Sequence, residues 1–231
     1  MSILKFNQFL NDISKESIAV IDTEILFENY IPIKISEEND DLFSFDISSS
    51  KEWVKYIASY LEENKAKVAF GGYLEKRNIY DRSKYFKNQS EDEKRNIHLG
   101  IDFWCKEKTK VLAVLDGEID SFKINDNFGD YGPTIILKHT IDNEVFYSLY
   151  GHLSKSSIKN LKVGKAVLQG DVIGFLGDAS VNGDYAPHLH FQIIRDLENN
   201  FGDYPGVSSK KNLDFYKKNC PNPNLLLKLS N

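Results

Sequence analysis

From about residue 98 onward the chain breaks into short apolar or alternating runs, each closed by Gly, Asn or Asp: 111–115, 134–138, 145–150, 166–168, 172–176 and 189–194. Runs this short and this closely spaced predict an antiparallel sheet system rather than helices. Asp142 and Asn143 predict a hairpin turn between two of the runs. Gly164, Gly170, Gly174 and Gly177 supply tight bends between small strands in LKVGKAVLQGDVIGFLG.

The first 90 residues are patterned differently. Ile3, Phe6, Phe9, Leu10 and Ile13 recur at helical spacing and predict a short helix over 3–13. Ser49 and Glu52 form a capping box for a second helix over 50–64, with Trp53, Tyr56, Ile57, Tyr60 and Leu61 as its apolar stripe. Short strands are predicted at 18–21 and 30–35. The class is therefore α+β and strand-dominated: an N-terminal mixed α/β region over 1–90 for packing or covering, a β core over 91–196, and a wrapping tail over 197–231. No catalytic constellation precedes residue 90. Glu75, Arg77, Tyr80 and Arg82 in GGYLEKRNIYDRS read first as a charged surface loop and second as a cover for a cleft. The tail is polar and irregular until it ends in apolar 225–227.

Composition narrows the function classes. The net charge of −5 offers no basic face for nucleic acid. No apolar run approaches the ~18 residues of a membrane span. The N-terminus lacks the basic start, apolar run and cleavage site of a leader, so as written the chain is expected to be soluble and cytoplasmic. An extracytoplasmic location would require a trimmed leader or leaderless export. Cys105 and Cys220 lie far apart and read as two reduced thiols.

Four of the five histidines fall in three phrases: His98-Leu-Gly-Ile-Asp102, Gly151-His152-Leu153 and His188-Leu189-His190. Imidazole and carboxylate suit zinc where no thiolates are on offer. His188 and His190, two apart on an apparent strand, point both rings to one face while Leu189 points to the other. Gly100 and the β-branched Ile101 argue against a helix through HLGID. Each phrase alone is weak; their joint occurrence in this order, within a strand-rich region, carries the signal.

HLGID, VLAVLDGEI, ILKH, SLYGHLS, VGKAVLQGDVIGFLGD and PHLHFQI together resemble the M23 metallopeptidases, the lysostaphin/LytM-type endopeptidases that cut peptide bonds in peptidoglycan. The resemblance runs from about residue 95 to 194. It implies a core of small packed antiparallel β-sheets and one zinc per chain held by His98, Asp102 and His190, with His152 and His188 as the unligated catalytic pair. It implies a peptide or peptidoglycan substrate. His139, in ILKH, is left a structural role or one supporting a ligand from behind.

Two features depart from the family pattern: the longer, polar stretch 177–186 before the last histidine phrase, and the missing leader. Three protein ligands leave a fourth zinc position for water, the layout of a catalytic site. With no HExxH glutamate, a neutral His152 or His188 would take the proton and the other imidazole would help stabilise the oxyanion; the sequence leaves open which does which. The alternatives are a non-hydrolytic zinc-binding regulatory or interaction module of the same fold, and a phosphotransfer carrier with paired histidines. The aspartate of HLGID favours metal over phosphohistidine.

Overall fold

The computed structural model describes residues 1–82 and 90–230. Strands are β1 (Tyr30–Pro32), β2 (Val68–Gly71), β3 (Arg95–His98), β4 (Ile101–Trp104), β5 (Lys110–Leu112), β6 (Gly117–Asn125), β7 (Gly132–Ile141), β8 (Glu144–Gly151), β9 (Ala166–Val167), β10 (Val172–Phe175), β11 (His188–Ile194) and β12 (Val207–Ser209). Helices are α1 (Ile3–Asp12), α2 (Ser50–Glu63), α3 (Lys155–Ile158), α4 (Leu213–Asn219) and α5 (Asn224–Leu227). The strand-dominated α+β class holds.

Eight strands form one sheet in the order β1-β2-β4-β11-β8-β7-β6-β9; β5 with β10 and β3 with β12 make two ribbons. Every pairing is antiparallel except β1 with β2. The β7–β8 hairpin closes on Asp142 and Asn143, whose φ values of 50° and 65° are those a two-residue turn of this twist requires. The Ser49 hydroxyl accepts from Glu52 N–H and caps α2, which buries Trp53 and Ile57.

Three sequence readings change. Strand β6 escaped notice because its register shifts between Ile119 and Ser121, which breaks the period-two alternation. The stretch 18–21 is no strand; it contributes only an isolated bridge from Ile21 to Val111. The tail is less irregular than its composition: it supplies β12, α4 and α5, and packs Leu226 and Leu227 fully into the main core.

The N-terminal region is continuous with the sheet. Strand β2 pairs β4 with Gly71 opposite Asp102 and Ala69 opposite Trp104. Phe6 and Leu10 of α1 join Phe103, Ile135, Phe146 and Phe191 in the principal core. A second cluster gathers Trp53, Ile57, Ala69, Trp104 and Tyr185 against β2 and β4. Cys105 and Cys220 are buried free thiols. No described helix is long and apolar enough to cross a membrane.

Candidate metal centre

Register brings the histidine phrases together. On β4 and β11, Asp102 lies opposite His190 and Trp104 opposite His188; on β8, Gly151 lies opposite His190, so His152 leaves the strand end beside them. Residues directly opposite on antiparallel strands share a face. His98 ends β3, and the turn back into β4 runs through Gly100. A Cβ there would stand 2.6 Å from Phe191 O and 2.7 Å from His190 Cε1, so only glycine lets the HLGID turn pass under the His190 ring.

Three donor atoms converge. His98 Nε2 lies 2.8 Å from His190 Nδ1, and Asp102 Oδ1 lies 3.2 Å from each. All three residues are 1–2% exposed. Among the described residues they form a group able to hold a metal ion.

The outer hydrogen bonds define what those inner atoms carry. His98 Nδ1 is 3.0 Å from the Gly72 carbonyl, which can only accept, so the His98 proton sits on Nδ1 and Nε2 is a lone pair. Gln192 donates its Nε2–H to Pro205 O at 3.1 Å, which turns its Oε1 toward His190 Nε2 at 2.9 Å. His190 therefore donates from Nε2, and its Nδ1 is also a lone pair. Two lone pairs and a carboxylate oxygen facing one another within 3.2 Å repel unless a cation stands among them. The donor set fits zinc, with each imidazole oriented through its second nitrogen.

Charge agrees. Burial, then the Arg77 cation, depresses His98 to about 3 and keeps it neutral. Burial alone would raise Asp102, but the charged groups around it, the Arg77 guanidinium at 2.6 Å among them, hold it well below the usual carboxylate range.

The His152 and His188 rings meet at 4.1 Å between centroids, tilted by 38°. His152 Nδ1 donates to Asn182 O at 2.9 Å and His188 Nδ1 to Ala186 O at 2.7 Å, so each ring keeps an unprotonated Nε2. Both carbonyls come from the polar stretch 177–186. Burial, then neighbouring histidines, depresses His152 well below its ordinary value; burial brings His188 to about 4. His152 holds φ at 63°, an uncommon backbone state for a non-glycine residue and one that clusters at functional sites. The indole of Trp104 stacks on His188 at 4.0 Å and 19°, and Trp53 of α2 stacks on Trp104 in turn.

A cleft of about 320 Å³ opens over these groups, walled in part by Tyr80, Phe128, Tyr131, Tyr185 and Tyr204. All five residues singled out in the sequence thus meet at one cleft. His139 does not join them: its Nδ1 donates to Asp116 O and its Nε2 meets the Ser148 hydroxyl at 2.7 Å. Gln192, Trp104 and Arg77 escaped the sequence reading as site residues. Gln192 had a signal, since it follows His190 by two on the same strand face. Arg77 is 2% exposed, not on a charged surface loop. The stretch 83–89, part of the lead-in read as a possible cover, lies outside the described residues, and the Arg82 side chain is not described.

A buried His–Asp–His cluster able to hold a metal ion thus lies beside a second histidine pair, set among antiparallel strands. Residues 96–201 match peptidase family M23. The glycyl-glycine endopeptidase ALE-1 of Staphylococcus capitis is 35% identical over 109 residues, 47% of this chain and 28% of that protein. An uncharacterized metalloprotease of Haemophilus influenzae is 32% identical over 95 residues, 41% of this chain and 18% of that protein. The catalytic domain of lysostaphin from Staphylococcus simulans is 30% identical, with a TM-score of 0.37, over 53% of this chain and 80% of that one. The chain spans between 18% and 28% of the length of the curated relatives it matches.

Proposed function

We propose that this protein is a zinc metalloendopeptidase that cuts peptide bonds of Gly-rich or peptidoglycan-type peptides. One zinc per chain would be held by His98 Nε2, Asp102 Oδ1 and His190 Nδ1. The observation that carries the reading is the convergence of two imidazole lone pairs and a carboxylate oxygen on one point. Zinc in such a site supplies a Lewis acid that polarises a carbonyl and brings the pKa of a coordinated water toward ~7.

The remaining chemistry belongs to the protein. Burial keeps His152 and His188 neutral, and their Nδ1–H groups are committed to Asn182 O and Ala186 O. Either Nε2 can accept a proton from water; once protonated, it becomes a donor to the oxyanion and then to the leaving amine. The substrate class rests on the likeness to ALE-1, and is supported by a cleft of about 320 Å³ with aromatic side chains in its wall.

Elemental analysis of purified protein should find one zinc per chain, lost in Asp102→Ala with the fold intact by circular dichroism. Full zinc occupancy in that variant would overturn the ligand assignment. Hydrolysis of purified peptidoglycan and of oligoglycine, absent in chelator and restored by zinc, separates the enzyme from a non-hydrolytic zinc-binding module.

A further inference from the structure

The buried cation beside the donor cluster has no part in the chemistry above. Arg77 lies before the matched M23 segment, in a region read from sequence as surface loop or cover, yet it is almost wholly inaccessible. Its Nη1 donates to Asp102 Oδ2 at 2.6 Å, and its Nε donates to Glu75 Oε2 at 3.0 Å. The other Glu75 oxygen accepts Ile35 N–H at 3.3 Å, and the Arg77 backbone N–H is fixed on Asn96 O at 2.9 Å. One side of the guanidinium packs where a Cβ on Gly72 would collide with Nη2. Gly72, at φ 107°, has room for Arg77 only because it is glycine, and the same residue presents its carbonyl to His98.

We infer that Arg77 is a positioning residue of the metal centre: it occupies Asp102 Oδ2 so that the carboxylate offers Oδ1 alone to the point where His98 Nε2 and His190 Nδ1 converge. A guanidinium is suited to this. It is a rigid planar fork, so one residue joins Asp102 to Glu75 with fixed direction, which a lysine ammonium cannot reproduce. Without it, Asp102 can rotate about its terminal torsion and turn either oxygen, or both, toward the imidazoles. The N-terminal region then contributes to the centre itself and not only to its surroundings.

Charge and position make opposite demands, which gives the idea its test. A fixed cation at the back of a ligand carboxylate repels an incoming dication. If charge were all that Arg77 brought, Arg77→Met would bind zinc more tightly. If Arg77 acts by position, the variant binds more weakly, by the ~10–100-fold usual for partners that orient metal ligands. Arg77→Lys keeps the charge and loses the fork, and position predicts that it too is weakened.

The inference rests on the zinc reading of His98, Asp102 and His190. The experiment measures zinc affinity of the full chain by competition with a chromophoric chelator, and records the visible spectrum after cobalt(II) substitution. The expected result is weaker zinc binding in both Arg77 variants with an altered cobalt spectrum, as the carboxylate changes its mode of contact. Wild-type or tighter affinity with an unchanged spectrum in either variant overturns the proposal. Glu75→Gln removes one anchor of the fork while leaving Arg77 and Asp102 in place, and serves if the Arg77 variants do not fold. It should weaken zinc binding several-fold, and unchanged binding there overturns the proposal equally. Failure of the wild-type chain to bind zinc at all would appear before any substitution and would remove the ligand assignment itself.

Discussion

Gln192 Oε1 accepts from His190 Nε2 at 2.9 Å, and this contact turns the opposite ring nitrogen into the lone pair that faces Asp102 and His98. Its direction is inherited from the Gln192 amide, which is held by Pro205 O and the Cys220 sulfur. The tail thereby reaches the donor cluster through one carboxamide.

Gln192→Leu removes that acceptor and leaves the buried His190 N–H only the Tyr131 hydroxyl, at 3.4 Å. Zinc affinity should fall ~10–100-fold with secondary structure retained. A chelator competition titration reads the change directly, and undiminished affinity would show that His190 needs no such partner.

His152→Ala and His188→Ala should keep zinc and lose on the order of 10²–10⁴-fold in turnover, because each removes a ring able to carry the proton. Elemental analysis and steady-state rates on oligoglycine check the two halves together. Near-wild-type turnover in both variants would sink the two-histidine mechanism. Loss of zinc in one would move that residue into the ligand set.

Phe6→Ala tests whether α1 is core or appendage. The ring is 1% exposed and meets Phe146 edge-on at 5.9 Å. Truncation should cost about 3–5 kcal/mol in urea unfolding, the range for a buried aromatic. A loss below about 1 kcal/mol would make the helix a removable cover.

The metal-free protein should be acid-labile in a defined window. Burial depresses His139, His152, His188 and His98 in the fold, His188 to about 4 and His98 to about 3, whereas the unfolded chain protonates near ~6.5. Between those values the unfolded state binds more protons, so stability falls as pH drops from about 6.5, by up to ~1.4 kcal/mol per pH unit for each histidine. Asp102, depressed in the fold, adds to the loss only below about 3.9. Urea unfolding at pH 7.5, 6 and 5 reads the slope, and His139→Gln should flatten it. Stability constant down to pH 4.5 would contradict the neutral buried histidines.

Period-two spacing placed His188 and His190 on one face, and Asp142-Asn143 marked the hairpin, because side-chain alternation and turn backbone states are local properties. Helices α1 and α2 were legible for the same reason, both from their apolar stripes and α2 also from its cap. Strand β6 was not, because a bulge interrupts the alternation on which the reading depends.

The chain by itself determined which side chains could bind a metal and that His188 and His190 share one strand face. Tertiary structure decided their protonation and direction. Gly72 O, Gln192, Asn182 O and Ala186 O each assign a ring proton, and Arg77 turns Asp102, through contacts that span 2 to 30 residues of chain and leave no periodic trace. A hydrogen-bond donor's partner is set by where the folded backbone passes, and that is a property of the whole sheet rather than of any local run.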